Sequence, residues 1–255
     1  MIIYQTGEDM NEKVDILGVN VDKITLDEAL EQAQEMFQDG KKHSVFTPNP
    51  EIVELAQKDS ELMAILNEAD LLLPDGIGIV LASRVVKEPI KERVPGIDFV
   101  SGLFDVAVNM GKKVFLFGAA PGVAELAKIK LGEKHPGIEV SGLRNGFFKE
   151  DENCSIIDVI NNSGADFLLV CLGAPKQEKW IAKYREQLNP AICVGAGGAL
   201  DVFSGKVNRA PRVMQKMGLE WLYRVAKSPS RIPRLAAIPK FLWKVTFRPK
   251  RKDEN

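Results

Sequence analysis

Lys113-Val114-Phe115-Leu116-Phe117-Gly118-Ala119-Ala120-Pro121-Gly122 and Asp166-Phe167-Leu168-Leu169-Val170-Cys171-Leu172-Gly173-Ala174-Pro175 decide the fold. Each is a short apolar run that stops at Gly and Pro and is followed by helical spacing, to about Glu133 in one case and through Leu188 in the other. An apolar run without polar alternation is a strand buried on both faces, and repeating strand, turn and helix builds a parallel sheet with helices on either side. Ala191 to Val194, ending in Gly195-Ala196-Gly197-Gly198, is a further strand, and Ile138 to Ser141 precedes Asn145-Gly146-Phe147-Phe148 and a helix near 151–162. The pattern predicts an α/β fold, a Rossmann-like parallel sheet core flanked by helices.

The first half continues the theme less regularly. Residues 14–22 alternate like one half-buried strand. Thr25-Leu26-Asp27-Glu28 reads as a capping box that opens a helix with Leu26, Leu30, Ala33 and Phe37 on one face, stopping at Gly40. Ser44 to Phe46 is a short strand. Asn49-Pro50 starts a helix that buries Ile52, Leu55, Ala56, Leu62, Ile65 and Leu66. Ala69 to Leu73 is another strand, broken at Pro74-Asp75-Gly76 before a helix from about Ile77.

Charge divides the chain in two. Its 255 residues carry a net charge of -1, but residues 205–255 hold 14 Lys/Arg against 3 Asp/Glu, leaving 20 against 32 in residues 1–204. We therefore divide the chain into a domain over 1–204 and a basic amphipathic helical appendage over 205–255. In the appendage, Val213, Met214, Met217, Trp221, Leu222 and Val225 share one helical face of 212–227. Leu235, Ile238, Phe241, Leu242 and Val245 share a second over 231–247, interrupted at Pro233 and Pro239. Basic residues beside Trp and Phe suit a helix lying on an anionic membrane surface, and packing of the same helices on the body is the competing reading. The start has no basic leader and no apolar run approaches ~18 residues, so the expected location is cytoplasmic, peripheral to the inner face of the membrane. Cys154, Cys171 and Cys193 form no Cys-x-x-Cys pair, and Cys171 and Cys193 lie in apolar runs as core thiols.

In open parallel sheets, ligands bind beyond the carboxyl ends of the strands. Here those ends are Thr47-Pro48-Asn49, Pro74-Asp75-Gly76, Gly118 to Gly122, Gly173 to Glu178 and Gly195 to Gly198. Glycine turns admit a phosphate to backbone N–H groups. The chain has neither a P-loop nor a complete Gly-x-Gly-x-x-Gly, since Gly195-Ala196-Gly197 runs on to Leu200. It lacks Asp-x-Asp, and His43 and His135 stand apart from obvious ligands, so no metal site and no cofactor are expected. General acid–base work then falls to a carboxylate, with Asp75 first because a Pro-Asp-Gly turn holds it at a strand mouth. Each candidate also has a structural reading. Asp75 and Thr47 serve as turn residues, Asn49 as a helix cap, Arg93 as a solvated loop cation and Gln177 as part of a helix start.

The motifs carry more when taken in order: Thr47-Pro-Asn-Pro-Glu51, Leu73-Pro-Asp-Gly-Ile-Gly78, Arg93-Val-Pro-Gly-Ile-Asp98, Phe115-Leu-Phe-Gly-Ala119, Asn145-Gly-Phe-Phe148, Leu172-Gly-Ala-Pro-Lys-Gln-Glu-Lys-Trp180 and Val194-Gly-Ala-Gly-Gly-Ala-Leu-Asp-Val-Phe-Ser-Gly205. This series resembles the WecG/TagA/CpsF family of bacterial glycosyltransferases from about residue 14 to 245, with Phe147 where Tyr is more usual. The resemblance implies metal-independent, inverting transfer of N-acetylmannosamine from UDP-ManNAc to GlcNAc-diphospho-undecaprenol, for wall teichoic acid or a related surface polymer. It implies Asp75 as general base, Thr47 and Asn49 positioning sugar groups, and Arg93 and Gln177 contacting phosphate and sugar. Gly118, Gly122, Gly173, Gly195 and Gly197 would admit the nucleotide. With no metal, the departing UDP needs protein cations, and Arg224, Arg231 and Arg234 of the appendage are the candidates.

Other classes have less support. A Rossmann-type oxidoreductase rests only on the glycine turns. A nucleic-acid binder would use the basic appendage with its aromatic residues, but apolar residues at helical spacing favour lipid, so no nucleic-acid partner is expected. A non-catalytic membrane scaffold leaves the strand-end motifs without a purpose. Assembly as a homo-oligomer is compatible with the reading.

Overall fold

The computed structural model describes residues 12–227 and 237–248. It opens on a hairpin, β1 (Lys13–Ile16) and β2 (Val19–Asp22), where the alternation suggests one strand. Leu17 and Gly18 both have positive φ, 55° and 90°, a two-residue turn that matches the twist of paired strands. The Asp15 carboxylate accepts the Gly18 N–H at 2.5 Å, and Ile16 pairs with Val19 across the turn, so the inward set shifts from even positions (Val14, Ile16) to odd ones (Val19, Val21). Helix α1 (Leu26–Met36) carries the predicted capping box, with Thr25 and Glu28 each accepting the other's backbone N–H.

Strand β3 (His43–Phe46) leads to α2 (Pro50–Ala56), capped by Asn49. The single helix expected from Pro50 to Leu66 is two, because Asp59 accepts the Leu62 N–H and starts α3 (Ser60–Asn67). Strand β4 (Leu71–Leu72) precedes α4 (Ile77–Val85). The 15-residue α5 (Gly96–Met110) was not anticipated, although Phe99, Val100, Leu103, Phe104 and Ala107 give it a helical apolar face. Then follow β5 (Lys113–Gly118), α6 (Val123–Lys134), β6 (Glu139–Arg144), α7 (Asn153–Asn162), β7 (Phe167–Cys171), α8 (Lys176–Tyr184), β8 (Ile192–Gly195) and α9 (Ala199–Phe203). Short 3₁₀ turns at Glu150–Glu152 and Arg185–Gln187 flank α7 and α8.

Strands β3 to β8 form one six-stranded parallel sheet in the order β4-β3-β8-β7-β5-β6. Alternate side chains of each strand enter two cores. One takes Phe46, Leu72, Phe115, Phe117, Leu168, Val170 and Cys193 against α2, α3, α4, α7 and α8. The other takes Val45, Leu71, Val114, Leu116, Phe167, Leu169, Cys171 and Val194 against α1, α5, α6 and α9. Burial pushes the Cys171 thiol up to about 12 and Cys193 to about 11, so both are core thiols.

The appendage supplies α10 (Arg212–Lys216), α11 (Glu220–Lys227) and α12 (Ala237–Thr246). The helix predicted over 212–227 is broken at Gly218, whose φ of +72° ends α10. Phe241 and Val245 of α12 are buried against the body, Lys244 pairs with Glu54, and Arg248 makes two hydrogen bonds to Asp15 at 2.7 and 3.0 Å. Val213, Met217, Leu222, Trp243 and Phe247 remain exposed. Packing and outward display, posed as alternatives by the sequence, thus divide the apolar residues between them. No helix of the described residues is long and apolar enough to cross a membrane. Arg231, Arg234 and Leu235 lie outside the described residues.

Candidate functional site

The carboxyl ends of β4, β3 and β8 are neighbours in the sheet, and the segments leaving them surround a cavity of about 260 Å³. Asp75 and Gly76 come from the β4 end, Thr47 and Asn49 from the β3 end, and Ala196 and Gly198 from the β8 end. Arg93, Pro95 and Gly96 close one side at the start of α5. Gly218, Glu220, Trp221, Val225 and Ile238 of the appendage close another.

Asp75 is fixed by its backbone, whose N–H donates to Pro48 O (3.2 Å) and Leu73 O (2.8 Å), while its side chain is half-exposed at the cavity wall. The turn that carries it needs glycine at two places. Gly76 has φ of +88°, and a Cβ on Gly78 would lie 2.4 Å from Pro50 Cγ. That close approach joins the starts of α4 and α2 and keeps Asp75 beside Asn49. The Asn49 Oδ1 accepts the Glu51 and Ile52 N–H groups at 2.9 and 3.1 Å, so its two lone pairs cap α2 and its Nδ2 is the end left to serve a substrate oxygen. Thr47 is buried. Its Oγ1 donates to Gly195 O at 3.5 Å, and its methyl packs on Gly96, where a Cβ would lie 2.8 Å away.

Gln177 differs from expectation. It is buried beneath the cavity, with Nε2 donating to Glu178 Oε1 and Oε1 accepting the Gly197 N–H, both at 2.9 Å. In this structure it supports the glycine turn that forms the floor instead of lining the cavity. Burial pushes the Glu178 carboxyl above its ordinary value, against the hydrogen bond from Gln177.

The glycines also separate. Gly195 faces Phe46 and Gln177, and Gly197, with φ of +49°, has open space around it. Gly118, Gly122 and Gly173 belong to the β5 and β7 ends and do not line the cavity. A Cβ on Gly118 would lie 2.3 Å from Cys171 O, so this glycine permits the close approach of β5 and β7. Gly122 and Gly173, with φ near +80°, have no atom within 4 Å of where a Cβ would stand. Next to them, Gly146 donates to Ala119 O at 2.9 Å and Lys176 lies over the Phe148 ring at 4.2 Å.

An ion-pair network not expected from the sequence ties the appendage to this site. Asp98 in the first turn of α5 accepts two hydrogen bonds from Arg209, at 2.5 and 3.1 Å. Arg209 also lies 3.6 Å from Glu220 Oε2, and Arg93 Nη1 approaches the same oxygen at 3.9 Å. Burial depresses the Arg209 guanidinium, but Asp98 and Glu220 outweigh it and hold its pKa above the ordinary value. One signal was available: Glu220 is the sole carboxylate between Gly205 and Lys252. Arg224 stands on α11. Among the described residues, no group of three or more His, Cys, Asp or Glu is arranged to hold a metal ion.

The arrangement offers a carboxylate at a strand mouth, neutral hydrogen-bonding groups beside it, an arginine at the rim and a glycine floor. That is equipment for moving a hydroxyl proton next to an anionic leaving group. Residues 14–255 match the model of the Glycosyl transferase WecG/TagA/CpsF family. The chain is 36% identical over 235 residues to N-acetylglucosaminyldiphosphoundecaprenol N-acetyl-beta-D-mannosaminyltransferase of Staphylococcus aureus strain MW2, covering 91% of this chain and 92% of the relative. The protein of that name from strain NCTC 8325 / PS 47 gives the same identity and coverage. A strand-end cavity with this equipment, on a chain that matches almost throughout, makes the protein a glycosyltransferase belonging to the WecG/TagA/CpsF family.

Proposed function

We propose that the protein transfers N-acetylmannosamine from UDP-ManNAc to GlcNAc-diphospho-undecaprenol, forming a β-1,4-linked lipid disaccharide for wall teichoic acid or a related surface polymer. The substrate pair rests on the names of the Staphylococcus aureus relatives and on family membership. The observation that carries the mechanism is Asp75, held by two backbone hydrogen bonds at the wall of a cavity that the appendage closes. Asp75 accepts the proton of the acceptor 4-hydroxyl as that oxygen attacks the anomeric carbon from the face opposite UDP. The anomeric carbon–oxygen bond to UDP breaks, the electron pair leaves on the diphosphate, and the configuration inverts.

Asn49 serves the sugar through Nδ2, and Thr47 shapes the pocket beside it. Gln177 acts through Gly197, keeping the floor open to the nucleotide. Arg93, with Arg224, Arg231 and Arg234, offsets charge on the departing diphosphate without a metal. The absence of Asp-x-Asp supports metal independence. The protein works as a peripheral protein at the cytoplasmic membrane face, where the acceptor lies and where the exposed Trp243 and Phe247 meet lipid. Incubation with UDP-ManNAc and a short-chain GlcNAc-diphospho-lipid in excess chelator should release UDP and yield the β-linked disaccharide. An α-linked product, or turnover that requires added divalent metal, would refute the inverting, metal-free scheme.

A further inference from the structure

Arg93 stands on the body, in the segment between α4 and α5, yet among the described residues both of its polar partners belong to the appendage. Its Nη2 donates to Gln215 O at 3.3 Å, and its Nη1 lies 3.9 Å from Glu220 Oε2. Glu220 is 6% exposed, lines the cavity, and shares the same oxygen with Arg209 at 3.6 Å. Arg209 is in turn fixed by two hydrogen bonds to Asp98. The result is a chain of alternating charge, Asp98–Arg209–Glu220–Arg93, that runs from the start of α5 through the appendage and back to the cavity rim. Without the Glu220 carboxylate, two guanidinium groups would face each other across a partly buried site, and Arg93 would keep only a neutral carbonyl to orient it.

We propose that Glu220 is a positioning residue for the transfer reaction: docking of the appendage sets the Arg93 guanidinium in the cavity through Glu220 and Gln215. The appendage then does two things, bringing its own arginines and orienting an arginine of the body. This rests on the reading above, in which Arg93 serves a phosphate-bearing substrate. It also gives loss of the appendage a second cost beyond its missing cations.

The test is a double-mutant cycle in the full chain, read as UDP release from UDP-ManNAc with a water-soluble GlcNAc-diphosphate acceptor. Glu220→Gln should lower kcat/KM about tenfold, and Arg93→Lys should lower it as well. The double variant should fall no more than about threefold below Arg93→Lys alone, because the two residues act as one unit. Losses that multiply independently would overturn the proposal, and so would wild-type rates in Glu220→Gln. A merely structural Glu220 predicts a lower thermal midpoint and independent losses. If Glu220→Gln does not fold, Glu220→Asp keeps the charge and should show a smaller loss with the same non-additivity. A wild-type chain that releases no UDP would overturn the functional reading and this proposal together, whereas turnover with independent losses removes only the role of Glu220.

Discussion

The Asp75 backbone N–H fixes the turn through Pro48 and Leu73, and an Asn in its place keeps that donor and the size of the side chain. Asp75→Asn should therefore fold normally and lose on the order of 10²-fold or more in kcat, the usual contribution of a positioned general base. UDP release near the wild-type rate from a folded variant would end the assignment. Gly118 makes the opposite prediction. Gly118→Ala would place a Cβ 2.3 Å from a backbone oxygen at φ of +135°, so it should lower stability by about 1–3 kcal/mol, read by urea unfolding, before any effect on substrate. Residue roles were unevenly legible for this reason. Asn49-Pro50 announced its cap, and Asp75 its turn, because both signals are local. Nothing local says that Gln177 points into the floor or that Gly118 serves the close approach of β5 and β7, since those depend on what lies across the sheet.

Elements were legible where their own chemistry marks both ends. Thr25 and Glu28 fixed the start of α1, and the apolar runs fixed β5, β7 and β8 within a residue or two. The Leu17-Gly18 turn was hidden because both arms alternate and only a one-residue shift of the inward set, from even to odd positions, marks it. The break between α2 and α3 was hidden because the apolar spacing runs through Asp59. One element edge also predicts a pH response. His43 at the start of β3 lies between Asp39, at 2.9 Å, and Asp70, at 3.1 Å. Burial alone would lower the imidazole pKa, but hydrogen bonds with Asp70 and Asp39 raise it above 6.5. Burial opposes the shift of both carboxylates too, yet hydrogen bonds from His43 and from the Lys41 and Ser44 N–H groups bring them below 3.8. The histidine's contribution is thus complete below pH 6.5 and is lost as pH rises through its folded value. The carboxylates' contribution is complete above pH 3.8 and is lost as pH falls through theirs. The stability advantage of wild type over His43→Gln, from urea unfolding, should accordingly shrink between pH 6 and pH 9. An advantage that grows with pH would show that the imidazole is neutral in this cluster.

At the scale of the whole molecule, the net charge of -1 conceals an acidic body and a basic appendage, and the appendage is the part whose placement the sequence left open. Its apolar residues suit lipid and protein equally well, because hydrophobic burial is non-directional and helical spacing does not say what lies opposite. The structure separates the two uses along one segment, since α12 buries Phe241 and Val245 on the body and leaves Trp243 exposed, with Phe247 exposed just beyond the helix. The two faces should fail differently. Trp243→Asp with Phe247→Asp removes aromatic anchors and adds negative charge, so binding to vesicles containing phosphatidylglycerol should weaken about tenfold or more, with turnover of a water-soluble acceptor unchanged. Phe241→Ala opens a cavity under the helix, worth about 3 kcal/mol in a packed core, and loosens the wall that Trp221, Val225 and Ile238 give the cavity. It should lower turnover of the soluble acceptor even where no membrane is present. Vesicle sedimentation and UDP release on the same preparations compare the two directly. Equal losses of binding and turnover in both variants would mean that docking on the body and contact with lipid are a single event. The divergent result would mean that the appendage completes the site first and meets the membrane with a separate surface.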